Sequence, residues 1–214
     1  MAQDIGERKK AQAEIERYIA RLEQAMESTL GAVSGMVELR DPYTAGHERR
    51  VGDLAAAIGA ELNLPEATLK GLRLAGYVHD IGKISVPAEI LSKPSRLTPL
   101  ETQLIRGHPQ SGYDVLKNVD FPWPVAEVIL QHHERLDGSG YPRQLKNGAI
   151  ILEARIMAVA DVVEAMSSHR PYRPGLGINA ALEEIAWNSG KFYDPQVVDA
   201  CLRLFREKGY VLPG

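Results

Sequence analysis

Residues 66–83 read EATLKGLRLAGYVHDIGK. Leu69, Leu72 and Ala75 recur at three-residue steps after Pro65, which places them on one face of an α-helix running from Glu66 to His79. The helix ends in His79-Asp80, two strong metal-ligand types side by side, and Gly82 permits a tight turn before Lys83. Adjacent helical side chains point about 100° apart, so His79 and Asp80 cannot both satisfy one local partner. Such divergent neighbours suit a cluster of two ions.

The helical period extends in both directions. Upstream, Val51, Leu54, Ile58 and Leu62 mark a helix from about His47 to Leu62. Downstream, Thr98-Pro99-Leu100-Glu101 has the pattern of a capping box with proline at the first helical position, opening a helix to about Gly107. Further helices are predicted over residues 109–117, 123–134, 151–168, 178–188 and 195–208, the last announced by Asp194 and Pro195. No sustained two-residue alternation lies between turn signals, so the fold class is all-α. A small strand pair near Lys83–Val86 is left open.

Before this region, Ile15, Ile19, Leu22, Met26, Thr29, Val33 and Val37 are spaced by fours and threes, the seam of a coiled coil. The spacing predicts one long helix over residues 8–39, whose charged opposite face (Glu14, Arg17, Arg21, Glu23, Glu27) leaves the stripe in need of a partner. That partner is either a second copy, making a homodimer, or the chain's own domain. Asp41-Pro42 stops the helix, because proline disfavours helical geometry in the residue before it. The chain thus divides into an N-terminal helix, 1–39, and a helical domain, 40–214.

With 44% hydrophobic and 25% charged residues, the chain has the profile of a globular domain rather than a disordered one. A net charge of -3 argues against a general nucleic-acid binder, which needs clustered cations. A single cysteine, Cys201, excludes an internal disulfide framework and a cysteine-based zinc site, and fits a reducing cytoplasm. No apolar run approaches the roughly 18 residues of a membrane span, and the charged N-terminus is unlike a signal peptide.

Of the six histidines, five sit in distinctive contexts. His47 opens one helix, His79 closes another, His108 lies between two, and His132-His133 end a fourth before Glu134-Arg135-Leu136-Asp137-Gly138-Ser139-Gly140-Tyr141-Pro142. Asp161 falls inside the apolar run 156–166, where an ionised carboxylate is costly to bury unless paired or metal-bound. His108 standing alone would read as a surface or capping residue, and Asp161 alone as a solvent-facing one. Together, these imidazoles and the carboxylates of Asp80 and Asp161 suit iron, manganese, cobalt or zinc better than calcium or magnesium.

Over residues 38–208 the sequence resembles the HD-GYP family. The resemblance is carried by His79-Asp80-Ile81-Gly82-Lys83, by the composite from His132 through Asp137-Gly138 to Gly140-Tyr141-Pro142, and by Arg170-Pro171-Tyr172-Arg173 after Asp161. It implies an HD-type helical bundle and a phosphodiesterase that opens cyclic di-GMP by a hydroxide bridging two divalent ions, iron or manganese. Asp80 would bridge the ions, His47, His79 and Asp161 holding one and His108, His132 and His133 the other. Lys83 would contact the scissile phosphate, and Arg170 and Arg173 would grip phosphate or base. Tyr141 would stack on a base or support its loop. Some members bind a third ion through a glutamate at the position of Tyr43, so this chain is expected to hold two. The expected product is pGpG, with the further step to GMP left open. Residues 4–17, DIGERKKAQAEIER, resemble the segment that commonly follows a PAS sensor domain, implying an upstream input and partner signalling proteins. The alternatives are an HD phosphohydrolase for another cyclic nucleotide and a receptor that binds cyclic di-GMP without cleaving it.

Overall fold

The computed structural model describes residues 2–40, 46–168 and 176–213, with side chains from Arg8 onward. Its helices are α1 (Ala2–Glu38), α2 (His47–Glu61), α3 (Glu66–Val78), α4 (Ala88–Leu91), α5 (Pro99–Arg106), α6 (His108–Leu116), α7 (Val125–Gln131), α8 (Leu152–Ser167), α9 (Ile178–Trp187) and α10 (Pro195–Arg206). Among the described residues there is no strand, only an isolated bridge between Ser189 and Tyr193. The all-α expectation is borne out. The segment left open as a strand pair is instead a 3₁₀ turn, Ile81–Ser85. Gly82 explains it: a Cβ there would lie 1.9 Å from the His108 carbonyl oxygen, so the turn is pressed against the start of α6 rather than extended beside a partner strand.

The core gathers around α8, which is apolar on nearly every side: Ala154, Ile156, Met157, Val159, Ala160 and Val163 are all buried. A helix with this pattern belongs at the centre of a bundle. Leu54 and Ile58 from α2, Leu72 from α3, Ile129 from α7, Ile185 from α9 and Val197 from α10 join it in one cluster. Each such side chain, fully buried, contributes about 1.5–3 kcal/mol. The predicted capping box forms as expected: Thr98 Oγ1 accepts the Glu101 N–H, and Glu101 accepts the Thr98 N–H at 2.7 Å. Asp194 caps α10 by accepting the Gln196 N–H at 2.9 Å.

α2 and α3 pack at unusually close range. A Cβ on Gly76 would lie 2.3 Å from Gly52 Cα and 2.5 Å from Gly52 N, so the two helix backbones touch where both residues are glycine. That contact lies between His47, at the head of α2, and His79, immediately after α3.

The long helix meets two environments. Met26, Leu30 and Val37, in its second half, pack on the domain, and Lys70 of α3 reaches Glu23 at 3.0 Å. Ile15, Ile19 and Leu22, N-terminal to these, are 53%, 51% and 71% exposed. The single stripe read from the sequence is therefore divided between the chain's own domain and an uncovered segment.

Candidate metal centre

Helix ends bring the site together. His47 and His108 are the first residues of α2 and α6; His79 and His132 directly follow α3 and α7, each carrying a further candidate, Asp80 or His133, one position on. Asp161 enters from the middle of α8. His47, His79, Asp80, His108, His132 and Asp161 are all buried.

The rings form a chain: His47 to His79 with centroids 5.2 Å apart, His79 to His132 at 5.2 Å, His132 to His108 at 5.3 Å and His132 to His133 at 4.0 Å. Two sets of donor atoms close enough to hold an ion share Asp80. One is Asp80, His108, His132 and His133, and the other is His47, His79 and Asp80. Asp161 borders both, with Oδ1 3.3 Å from His47 Nε2 and Oδ2 3.9 Å from His133 Nδ1.

The hydrogen bonds fix which nitrogen faces inward. His79 Nδ1 donates to the Gly76 carbonyl at 2.7 Å, His108 Nδ1 to Ile105 at 2.7 Å and His132 Nδ1 to Ile129 at 2.6 Å, in each case to the residue three positions earlier. With Nδ1 carrying the proton, Nε2 holds a lone pair, the arrangement by which histidine ligands are oriented for metal. The Nε2 atoms of His108 and His132 then face each other at 3.3 Å as two acceptors, and His79 Nε2 is buried without a hydrogen-bond partner. Buried acceptors arranged like this are costly unless a cation lies between them. The donor set therefore fits divalent ions.

Electrostatics agree. Burial, reinforced by neighbouring imidazoles, holds His132 down to about 3 and lowers His79 and His133, so these rings are neutral ligands at ordinary pH. Burial pushes the Asp80 carboxyl up, but the Lys83 ammonium beside it outweighs this and keeps it well below the usual carboxylate range. Asp161 is likewise held low against burial by its contact with His47. His47 differs. Burial opposes its charge, yet Asp161 and Glu164 raise it to about 10, so an ion taken by His47 must displace a proton.

Lys83, in the 3₁₀ turn, sets Nζ 2.5 Å from Asp80 Oδ2. The glycine-rich loop folds back on His133. A Cβ on Gly140 would lie 2.5 Å from Arg135 N, Glu134 Cα and His133 O, and Gly138 has φ 83°. Asp137, exposed, accepts the Ser139 N–H at 2.9 Å and shapes the turn. Tyr141, followed by half-buried Pro142, donates its N–H to His133 O at 3.2 Å and lays its ring 4.7 Å from the His133 ring, with the Arg106 guanidinium 5.2 Å from the Tyr141 centroid. Arg170 and Arg173, with Tyr43 and His169, lie outside the described residues.

Three acidic residues at the site were given no role from the sequence, Glu134 appearing there only as part of the loop motif. Glu164 contacts His47 Nδ1 and accepts from Arg50 Nε at 2.7 Å. It stands one turn after Asp161 on the same apolar helix, so the burial argument that picked Asp161 applies to it equally. Buried Glu134 accepts the N–H groups of Arg143 and Leu145 at 2.7 and 3.0 Å, pinning the loop. Glu48, beside His47, is 1% exposed and neither carboxylate oxygen has a hydrogen-bond partner.

An all-helical bundle that converges helix ends on a histidine and aspartate cluster defines a metal-binding domain of the HD type. A profile of the HD domain family matches residues 31–197, and the chain belongs to that family. The expected HD-GYP kinship stands with it. The chain is 40% identical over 194 residues to a cyclic di-GMP phosphodiesterase of Thermotoga maritima, covering 90% of this chain and 53% of that protein. It is 38% identical over 173 residues to 3'3'-cGAMP-specific phosphodiesterase 1 of Vibrio cholerae, covering 80% and 40%. Among solved structures, a cyclic GMP-AMP specific phosphodiesterase of V. cholerae shares the fold, with a TM-score of 0.65 at 22% identity over 84% of this chain and 48% of that one. The chain spans about half the length of the curated relatives it matches.

Proposed function

We propose that this chain is a metal-dependent phosphodiesterase that opens cyclic di-GMP to pGpG, working in the cytoplasm as the output part of a signalling protein. The observation that carries this reading is the set of buried imidazoles whose Nδ1 protons are tied to backbone carbonyls, leaving Nε2 turned inward around Asp80. In it, His47, His79 and Asp161 would hold one divalent ion and His108, His132 and His133 the other, with Asp80 available to both sets. Iron or manganese suits this donor set best. When bound, the two ions supply Lewis acidity and activate the attacking water.

The chain's own groups do the rest. Asp80 and Asp161 balance the charge of the ions. Lys83, beside Asp80, presents a cation where a non-bridging phosphate oxygen would lie, and Arg170 and Arg173 add planar forks suited to bidentate phosphate contact. Tyr141 and the loop 137–142 hold His133 in place. Ile15, Ile19 and Leu22, uncovered on α1, join two copies as a homodimer and carry a signal from an upstream sensor.

The relative at 38% identity named as 3'3'-cGAMP-specific favours a second substrate reading, in which one guanine is replaced by adenine. Chromatography of cyclic di-GMP and 3'3'-cGAMP incubated with iron- or manganese-loaded protein separates the two. Turnover of cyclic di-GMP that a His79→Ala/Asp80→Ala variant lacks is expected; an intact dinucleotide beside metal-loaded protein would overturn the proposal.

A further inference from the structure

The last residue of α1 and the turn that follows it reach both sides of the metal centre. Glu38 Oε1 accepts the Gly46 N–H at 2.8 Å. Gly46 has φ 71° and ψ 3°, a left-handed conformation, and it immediately precedes His47. It is also crowded: a Cβ there would stand 2.7 Å from Arg50 Nη1. The direction in which His47 enters the site is thus set by a glycine in the left-handed region, which glycine adopts freely, with its amide held by Glu38. Two positions on, Arg40 Nη1 donates to the Ile84 carbonyl at 2.7 Å, within the 3₁₀ turn that carries Lys83. Val37, 3% exposed, and Ser34, 9% exposed, pack this end of the helix against the domain, so Glu38 and Arg40 follow its position.

We infer that Glu38 and Arg40 are positioning residues, Glu38 setting the His47 ligand through Gly46 and Arg40 setting Lys83 through Ile84. Neither touches substrate or ion. The Glu38 carboxylate also lies near that of Glu48, whose buried oxygens have no hydrogen-bond partner, so an amide at position 38 can donate to Glu48 while still accepting from Gly46. The inference rests on the proposed dinuclear phosphodiesterase and adds a physical link by which movement of the long helix alters the centre. Because α1 bears on both sides, one displacement of its end acts on ion binding and on phosphate binding together.

The test separates the two roles. The purified 214-residue chain and the variants Glu38→Ala, Glu38→Gln, Arg40→Ala and Arg40→Lys are titrated with Mn²⁺ by calorimetry. Inorganic phosphate is then titrated into each Mn²⁺-loaded protein, with a thermal melt for every variant. Glu38→Ala is expected to weaken one of two Mn²⁺ sites about tenfold, the lower end of what loss of a ligand-orienting group costs, and Glu38→Gln to restore it. Arg40→Ala should leave both Mn²⁺ affinities unchanged and weaken phosphate about tenfold, with Arg40→Lys recovering part of the loss. Unchanged Mn²⁺ binding in Glu38→Ala, equal losses in the alanine and glutamine variants, or loss of Mn²⁺ rather than phosphate in Arg40→Ala would each overturn the inference. A uniform loss that tracks melting temperature in every variant would do the same, since it marks a merely structural role. If the wild type binds two Mn²⁺ and phosphate but cleaves no cyclic dinucleotide, the proposed function fails while these titrations still decide the inference.

Discussion

Replacing Gly76 by alanine tests whether a backbone contact sets the spacing of the metal centre. The new Cβ would stand 2.3 Å from Gly52 Cα and 2.5 Å from Gly52 N. Carbon atoms in ordinary contact sit about 3.5–4.0 Å apart, so α2 and α3 must separate by roughly 1 Å. Overpacking of this kind costs about 1–3 kcal/mol, and the upper end applies because both facing atoms are backbone and cannot rotate away. Alanine returns about 1 kcal/mol of helix propensity, leaving a net loss near 2 kcal/mol. For a chain of this size that lowers the melting temperature by roughly 4–8 °C. A ligand displacement of about 1 Å far exceeds the ±0.2 Å tolerance of metal–ligand distances, so the ion shared by His47 and His79 should weaken at least tenfold. Circular dichroism melts and Mn²⁺ calorimetry read the two effects. Gly31→Ala, where nothing lies within 4 Å of the added Cβ, is the control and should be neutral or slightly stabilising. A Gly76→Ala protein that melts with the wild type would refute the contact argument, and one that melts lower while binding both ions normally would refute its link to the site.

Other outcomes follow from the same geometry. His132 is held down to about 3 in the fold but takes up a proton near 6.5 when unfolded, so metal-free protein should lose stability as pH falls from 6.5 towards 3. His47, raised to about 10, acts in the opposite sense, and its contribution fades as pH rises from 6.5 towards 10. Melts in chelator should therefore peak near pH 6.5, and a melting temperature flat from pH 7 to 4 would contradict the assignment. Glu164→Gln removes the carboxylate that orients His47, and Mn²⁺ affinity should fall 10–100-fold by calorimetry; a change under about twofold would exclude that role. Ile19→Glu should yield a monomer by light scattering without altering the melt, whereas Met26→Glu, on the docked half of α1, should lower the melt. An unchanged mass for Ile19→Glu would show that the exposed stripe joins no second copy.

Much of the fold was legible because helices announce themselves locally. The three-residue steps of Leu69, Leu72 and Ala75 and the capping box at Thr98 need only near neighbours, and both reappear in the structure. The turn at residues 81–85 was not legible, since what makes it 3₁₀ is the His108 carbonyl against Gly82, a contact across 26 positions. The division of α1 was hidden for a related reason: Ile19 and Met26 look alike in the seam, and only α3 distinguishes them. At the site, the histidines stood out because their type is scarce and they cluster at helix ends. Glu48 and Glu164 did not, because glutamate is common on helices and only burial marks these two.

The anchoring of His79, His108 and His132 on carbonyls three residues earlier bears on how such a centre can change over evolutionary time. A partner that is backbone has no codon of its own, so no substitution can delete it without bending the helix that supplies it. Drift in neighbouring side chains leaves these three rings oriented as before. His47 is anchored instead by Glu164, a side chain open to mutation. Among the described residues, routes by which relatives could diverge in ion preference while keeping the bundle intact therefore run through the grip of α8 on His47 and through the Tyr141 ring that lies on His133.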